Sequence, residues 1–338
     1  MKKNNNFKKL QFNAVIVIFG LMNFFGFCSQ KQEINYPDAY FPDSVTNLSS
    51  INSEFDEFNP GPPPTVDGEF NLYYSSNKKS NGNNFDILGT HLRYEYNQND
   101  GKFYISAYQL DKYYSFSNQL ELINSPANEL GPNFNYHDST TNYLFFASDK
   151  GGKLNIYCLF NEYDSTKHEY TDSDLFPVNI LNSSMNDGYL TIHLNGNHVY
   201  FMSDRKGDYD IYKRAYPPEV ELKKWIMMTS ASFAESVVEL NSAGNDKCPY
   251  INGNLMVFTS DRAGGFGGFD LWYSTYSNGK WGSPVNFGNK INSEFDEYRP
   301  VVVADTSYKN DMMIFSSNRP GGKGGYDLYF VGIPKMTK

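Results

Sequence analysis

Five times along its 338 residues the chain repeats one phrase: INSEFDE from residue 51, INSPANE from 123, LNSSMND from 181, LNSAGND from 240 and INSEFDE from 291. Every copy keeps Asn, Ser and a closing acid, which is Glu57, Glu129, Asp187, Asp246 or Glu297. Four copies place a proline three residues later, at Pro60, Pro132, Pro249 and Pro300, and the third has Leu190 there. A second phrase then closes an aromatic, alternating run: LYYSSNK (72–78), LFFASDK (144–150), VYFMSDR (199–205), MVFTSDR (256–262) and MIFSSNR (313–319). A third, NFDIL, LNIYC, YDIYK, FDLWY or YDLYF, brings its Asp or Asn 7 or 10 residues after the serine of the second. Such runs predict strands ending in polar turns. Two loop lengths differing by three predict a hairpin tip with an optional insert, GGFGG or GGKGG, where glycine permits positive φ and a tight reversal.

Successive phrase asparagines (52, 124, 182, 241, 292) lie 51 to 72 residues apart, which suits a unit of four short strands. One such unit cannot bury both its faces, so copies must stack, and a ring of four-stranded sheets leaves only short, protected edges. The expected fold is all-β, a five-bladed propeller of four-stranded antiparallel blades. Six blades is the alternative if the longest interval, which includes EYNQNDGKFYISAYQ (95–109), hides a further blade. We prefer a long hairpin there, because NDG is a good turn between two aromatic strands. The fifth copy ends near residue 332 with its fourth strand missing. DSVTNLSSIN (43–52) aligns with SPVNFGNKIN (283–292), with Val six residues before Ile in both, so the N-terminal segment is expected to supply that strand and close the ring.

FTSDRAGGFGGFDLWYS (258–274) and FSSNRPGGKGGYDLYFVG (315–332), each preceded by the INSxxDE-like phrase, resemble the WD40-like propeller repeat known as PD40. That repeat is found in the propeller of the periplasmic protein TolB and in envelope lipoproteins. The resemblance covers about residues 44 to 332 and implies a non-catalytic scaffold that binds an envelope protein or a cell-wall or surface glycan.

Composition agrees with an all-β chain: 27 Tyr, 27 Phe and 27 Gly, with aromatics at 17%. The N-terminus carries Lys2, Lys3, Lys8 and Lys9, then a mainly apolar run to Phe27, which reads as an export signal over 1–27. Cys28 follows it and is followed by SQKQE, which resembles the lipobox of bacterial lipoproteins. The resemblance implies acylation of Cys28, a lipid-anchored linker over 28–42, a propeller over 43–334, and an outer-membrane location in the cell envelope with the lipid as the sole membrane contact. Cys158 and Cys248 have no CxxC or Cys/His companions and read as buried thiols. Net charge is −9, and residues 1–27 hold four lysines and no acid. Clustered Lys and Arg for a phosphate backbone are missing, so nucleic acid is not an expected partner.

Two readings compete for the acids. A propeller glycoside hydrolase, or another carbohydrate-active enzyme, would need a pair of carboxylates in unlike environments at the channel. Glu57, Glu129, Asp187, Asp246 and Glu297 recur once per copy, so a structural role at the turn into the inner strand fits them better. The same holds for Asp204 and Asp261 of the second phrase and Asp210, Asp270 and Asp327 of the third, while Arg205, Arg262 and Arg319 are expected to pair with acids. Glu54, Asp56, Glu294 and Asp296 occur only in the first and last copies, neighbours in a closed ring, and are the candidates for glycan contact or a Ca²⁺ ion. No other cofactor is expected, and a monomer is. Loops 91–101 and 161–174 are the expected ligand contacts. His193 and His198 flank the turn LNGN and read as exposed.

Overall fold

The computed structural model describes residues 39–61, 68–110, 116, 118–135, 141–229 and 233–336. The expected export signal and Cys28 fall within residues 1–38 and lie outside the described residues.

The three repeated phrases are strand boundaries. All five inner strands start on the closing acid: Glu57–Gly61, Glu129–Asn135, Asp187–His193, Asp246–Asn252 and Glu297–Val303. The second strands end on the serine of the second phrase: Glu69–Ser76, Thr141–Ser148, His198–Ser203, Leu255–Ser260 and Asn310–Ser317. The third strands begin on the Asp or Asn of the third phrase: Asp86–Asn97, Asn155–Asp164, Asp210–Ala215, Asp270–Ser277 and Asp327–Pro334. Each set pairs antiparallel into one sheet, giving five blades. Inner strands contact one another in sequence order, and the last contacts the first. All three phrases of every blade therefore lie on one side of the disc, here the front face.

Outer strands vary. Blade 1 has a long one, Lys102–Gln109, joined to the third strand by the Asn-Asp-Gly turn at 99–101, so the longest interval is a hairpin and the ring has five blades. Blades 2 to 4 have two-residue outer strands, Phe176–Pro177, Glu235–Ser236 and Val285–Asn286. Blades 2 and 4 add a short pairing at the far end of the third strand, through Glu169–Asp172 and Lys280–Trp281. In blade 5 the outer strand is Thr46–Asn47, paired with Phe330 and Tyr329, which closes the ring through the N-terminal segment. The expected alignment is one residue out. Thr46, not Val45, takes the place of Val285, since their partners Phe330 and Tyr273 each lie three residues after the third-phrase Asp. Packing also starts before residue 43, with Ala39 and Phe41 fully buried.

Second strands are apolar on both faces, and alternate residues feed different layers. Leu255 and Val257 pack toward blade 5, whereas Met256 and Phe258 pack toward blade 3. The core is thus five layers between neighbouring blades, plus a small central cluster around Tyr189, Met202 and Cys248. Cys158 and Cys248 are both buried and free.

Candidate functional site

The repeated phrase is a clip between blades. Its asparagine bonds both backbone groups of one residue on the preceding blade's third strand: Asn52 with Leu328, Asn124 with Ile87, Asn182 with Ile156, Asn241 with Ile211 and Asn292 with Leu271. The closing acid accepts from the backbone amide and hydroxyl of the phrase serine, as Glu57 does from Ser53 at 2.7 and 2.6 Å. Glu129, Asp187, Asp246 and Glu297 repeat this with Ser125, Ser183, Ser242 and Ser293. Burial pushes the Glu57, Glu129 and Glu297 carboxyls up, against the lowering effect of those serine bonds. In blades 3 to 5 an arginine completes the clip: Arg205 on Asp187 at 2.6 Å, Arg262 on Asp246, and Arg319 on Glu297 at 2.7 Å. All five closing acids are buried, each bonded to the serine of its own phrase.

Asp56 and Asp296 have a structural account too. The residue before the closing acid always accepts from the backbone amide just ahead of the third-phrase Asp or Asn on the preceding blade: Asp56 from Tyr326, Asn128 from Phe85, Asn186 from Leu154, Asn245 from Tyr209 and Asp296 from Phe269. It also pairs with the second phrase of its own blade, where one partner must be a carboxylate and the other an amide. Asp56 faces Asn77 and Asp296 faces Asn318, whereas Asn128, Asn186 and Asn245 face Asp149, Asp204 and Asp261. The extra acids of the outer copies are one half of a swapped pair. Glu54 and Glu294 are exposed. The first and last copies do adjoin, with Tyr326 donating its amide to Asp56 and its hydroxyl to Asp296 at 3.0 Å. Among the described residues no group of three or more His, Cys, Asp or Glu could hold a metal ion.

The third-phrase acids close hairpin tips. Asp270 accepts from the amides of Phe266 and Gly267, and Asp327 from those of Lys323 and Gly324. A Cβ on Gly267 or Gly324 would meet the carbonyl oxygen of Phe295 or Phe55 at 2.2 or 1.9 Å, so the GGFGG and GGKGG tips lie flat on the next blade's phrase. Asp210 sits on a short tip, where burial and neighbouring Asp208 raise it to about 6.

What remains at the front of the channel is aromatic. The residue after each closing acid and the residue before each third-phrase Asp or Asn form a rim. Phe58 lies 5.0 Å from Tyr298, 4.7 Å from Tyr326 and 6.0 Å from Phe85. Tyr298 meets Phe269 at 5.5 Å. Lys247 places its ammonium 4.6 Å from both the Tyr209 and Phe269 ring centres, and Leu130 and Leu154 complete the circle against the central cluster. These nine side chains are all part-exposed, and the tenth position, Gly188, is buried. No rim position carries a carboxylate. Beneath it, the second residue after each acid, Asn59, Gly131, Tyr189, Cys248 or Arg299, has φ between 50° and 58° and sits at a bulge in the inner strand.

Sequence reasoning missed this rim, although an aromatic residue precedes the third-phrase Asp in four of five copies. Loops 91–101 and 161–174, expected to carry contacts, lie at the far ends of third strands, away from the front face. His193 is also placed differently: it is buried, with its ring 4.5 Å from that of Tyr276 and 5.2 Å from that of Trp281. Burial lowers it to about 4.

No protein-family model matches the chain, and no curated protein matches it. Solved structures do. An endo-arabinase from Bacteroides thetaiotaomicron VPI-5482 is similar with a TM-score of 0.50 and 16% identity, over 86% of this chain and 97% of that one. An α-L-arabinofuranosidase from Podospora anserina in complex with cellotriose is similar with a TM-score of 0.46 and 11% identity, over 88% and 98%. At these identities the likeness concerns the fold.

Proposed function

We propose that this protein is a carbohydrate-binding propeller of PD40-type repeats, held at the cell envelope by a lipid on Cys28, with the aromatic rim as its glycan site. The observation that carries this reading is the rim itself: six aromatic rings and one ammonium around the front of the channel, with no carboxylate among them. Part-exposed aromatic faces give a ligand large contact area at small entropic cost. The endo-arabinase of similar fold makes arabinan the first glycan to try. Titrating arabinan, xylan and xyloglucan oligosaccharides by calorimetry tests it. Phe58→Ala and Tyr298→Ala should each weaken binding roughly tenfold, as loss of an aromatic anchor does. Wild-type affinity in both variants would sink the rim as the site.

A second reading, a glycoside hydrolase, rests on that same likeness in fold. It needs two free carboxylates, whereas Asp56 and Asp296 accept from backbone amides and the five closing acids from serines. Release of reducing sugar by the purified protein, lost in Asp296→Asn with folding intact, would put the hydrolase first. For the anchor, Cys28→Ser should move the protein from the membrane fraction to the soluble one.

A further inference from the structure

Among the described residues Arg299 is the largest side chain buried to the full. It occupies the inward bulge of blade 5, at the hub where the inner strands meet, beneath the rim. Its Nη2 lies 3.4 Å from the carbonyl oxygen of Pro132 on blade 2, and its Cζ lies 5.0 Å from the Tyr189 ring centre on blade 3. Its Nε and Nη1 are buried with no hydrogen-bond partner, and among the described residues it forms no ion pair. The adjacent bulge on blade 1 holds Asn59, whose Nδ2 donates to the Tyr189 hydroxyl at 3.0 Å and whose Oδ1 is also buried without a partner.

A guanidinium does not give up its proton in a protein. Burying it with two donors unspent is among the costliest arrangements a core can contain, and one ring face offsets only part of that. The clip arginines mark the contrast, because Arg205, Arg262 and Arg319 each have a buried carboxylate. The other hub side chains, from Asn59, Tyr189 and Cys248, supply none. The Asn59 amide can turn over to accept from Tyr189 and offer its NH₂ to the same space, since amide O and N are exchanged by a flip.

We infer that the hub of this propeller binds a small monovalent inorganic anion of the halide class, held by Nε and Nη1 of Arg299 with the Asn59 amide beside it. The ion joins blades 1, 2, 3 and 5 through residues that already touch at the axis. This site is independent of the glycan reading, because it lies below the rim and needs no sugar.

Bromide is the probe. Crystals of the full chain grown in sodium bromide should show an anomalous peak within hydrogen-bonding range of Arg299 Nε and Nη1. In solution, melting temperature should rise with the logarithm of chloride or bromide concentration and stay flat in gluconate at matched ionic strength. Arg299→Met should abolish that difference. If this variant does not fold, the bromide density and the anion series on the wild-type chain still decide. No bromide at Arg299 together with melting that ignores anion identity would overturn the inference. A thiolate absorbance that disappears in Cys248→Ser, with no bromide at the hub, would place the counter-charge on the protein and overturn it as well.

Discussion

At the scale of single residues, hydrogen-bond capacity decides identity. In each clip the member bonded to the preceding blade must accept twice, or accept once and donate once. An Asp opposite an Asn satisfies the first case and an Asn opposite an Asp the second. Asp56→Asn would set an amide NH₂ against that of Asn77 and should cost about 1 to 2 kcal/mol, the range for a part-buried polar group left unpaired. The double change Asp56→Asn with Asn77→Asp recreates the arrangement of blades 2 to 4 and should recover most of the loss. A denaturant double-mutant cycle measures this, and strict additivity of the two losses would refute the swapped-pair account. His193 gives a second prediction. Its folded value of about 4 lies below the unfolded 6.5, so its contribution is present above pH 6.5 and is lost as pH falls toward 4. The full loss is about 3 kcal/mol. Asp210 and Asp311, both raised to about 6, act with the opposite sign, their contribution being lost as pH rises through 6. The measurement is therefore a difference: His193→Phe should gain stability relative to wild type between pH 6.5 and 4.

At the scale of elements, the strand most exposed to failure is Thr46–Asn47, two residues that complete blade 5. Their hold is reinforced from both sides. Asn47 donates to Asp327, Lys323 donates to the carbonyls of Ser49 and Asn52, and Gly332 donates to that of Pro42. Phe41 then inserts between blades 5 and 1, stacked on Tyr308 at 4.1 Å and edge-on to Tyr94. Phe41→Ala should cost about 3 to 5 kcal/mol, as large-to-small changes in a packed core do. Hydrogen exchange should show protection falling first at Asp327–Pro334, whose outer edge that segment covers. Protection lost evenly over all five blades would argue against a local closure.

At the scale of the whole molecule, five similar wedges produce an asymmetric centre. Clips repeat around the ring with small variations, whereas rim and hub positions hold a different residue in nearly every blade. The repeat therefore specifies the scaffold, and the columns that break it specify the chemistry. This separation predicts that rim variants such as Phe58→Ala alter glycan affinity with little change in melting temperature, while clip variants such as Asn52→Ala do the reverse. Calorimetry and thermal unfolding on the same proteins would check both arms.

Blade number, strand boundaries and ring closure were legible in the sequence, because each depends on a phrase whose Asn, Ser and acid act within one blade or on its immediate neighbour. The bonding of the acids is equally local: Glu57 and Glu297 accept from serines four residues away. Four things needed the tertiary structure. They are the pairing of Asp56 with Asn77, the burial of His193, the aromatic rim and the bare guanidinium of Arg299. Each depends on which side chains from different strands meet. The inward turn that brings Asn59, Tyr189 and Arg299 together is a bulge of one residue, and one residue of register reverses the face on which a strand side chain lies.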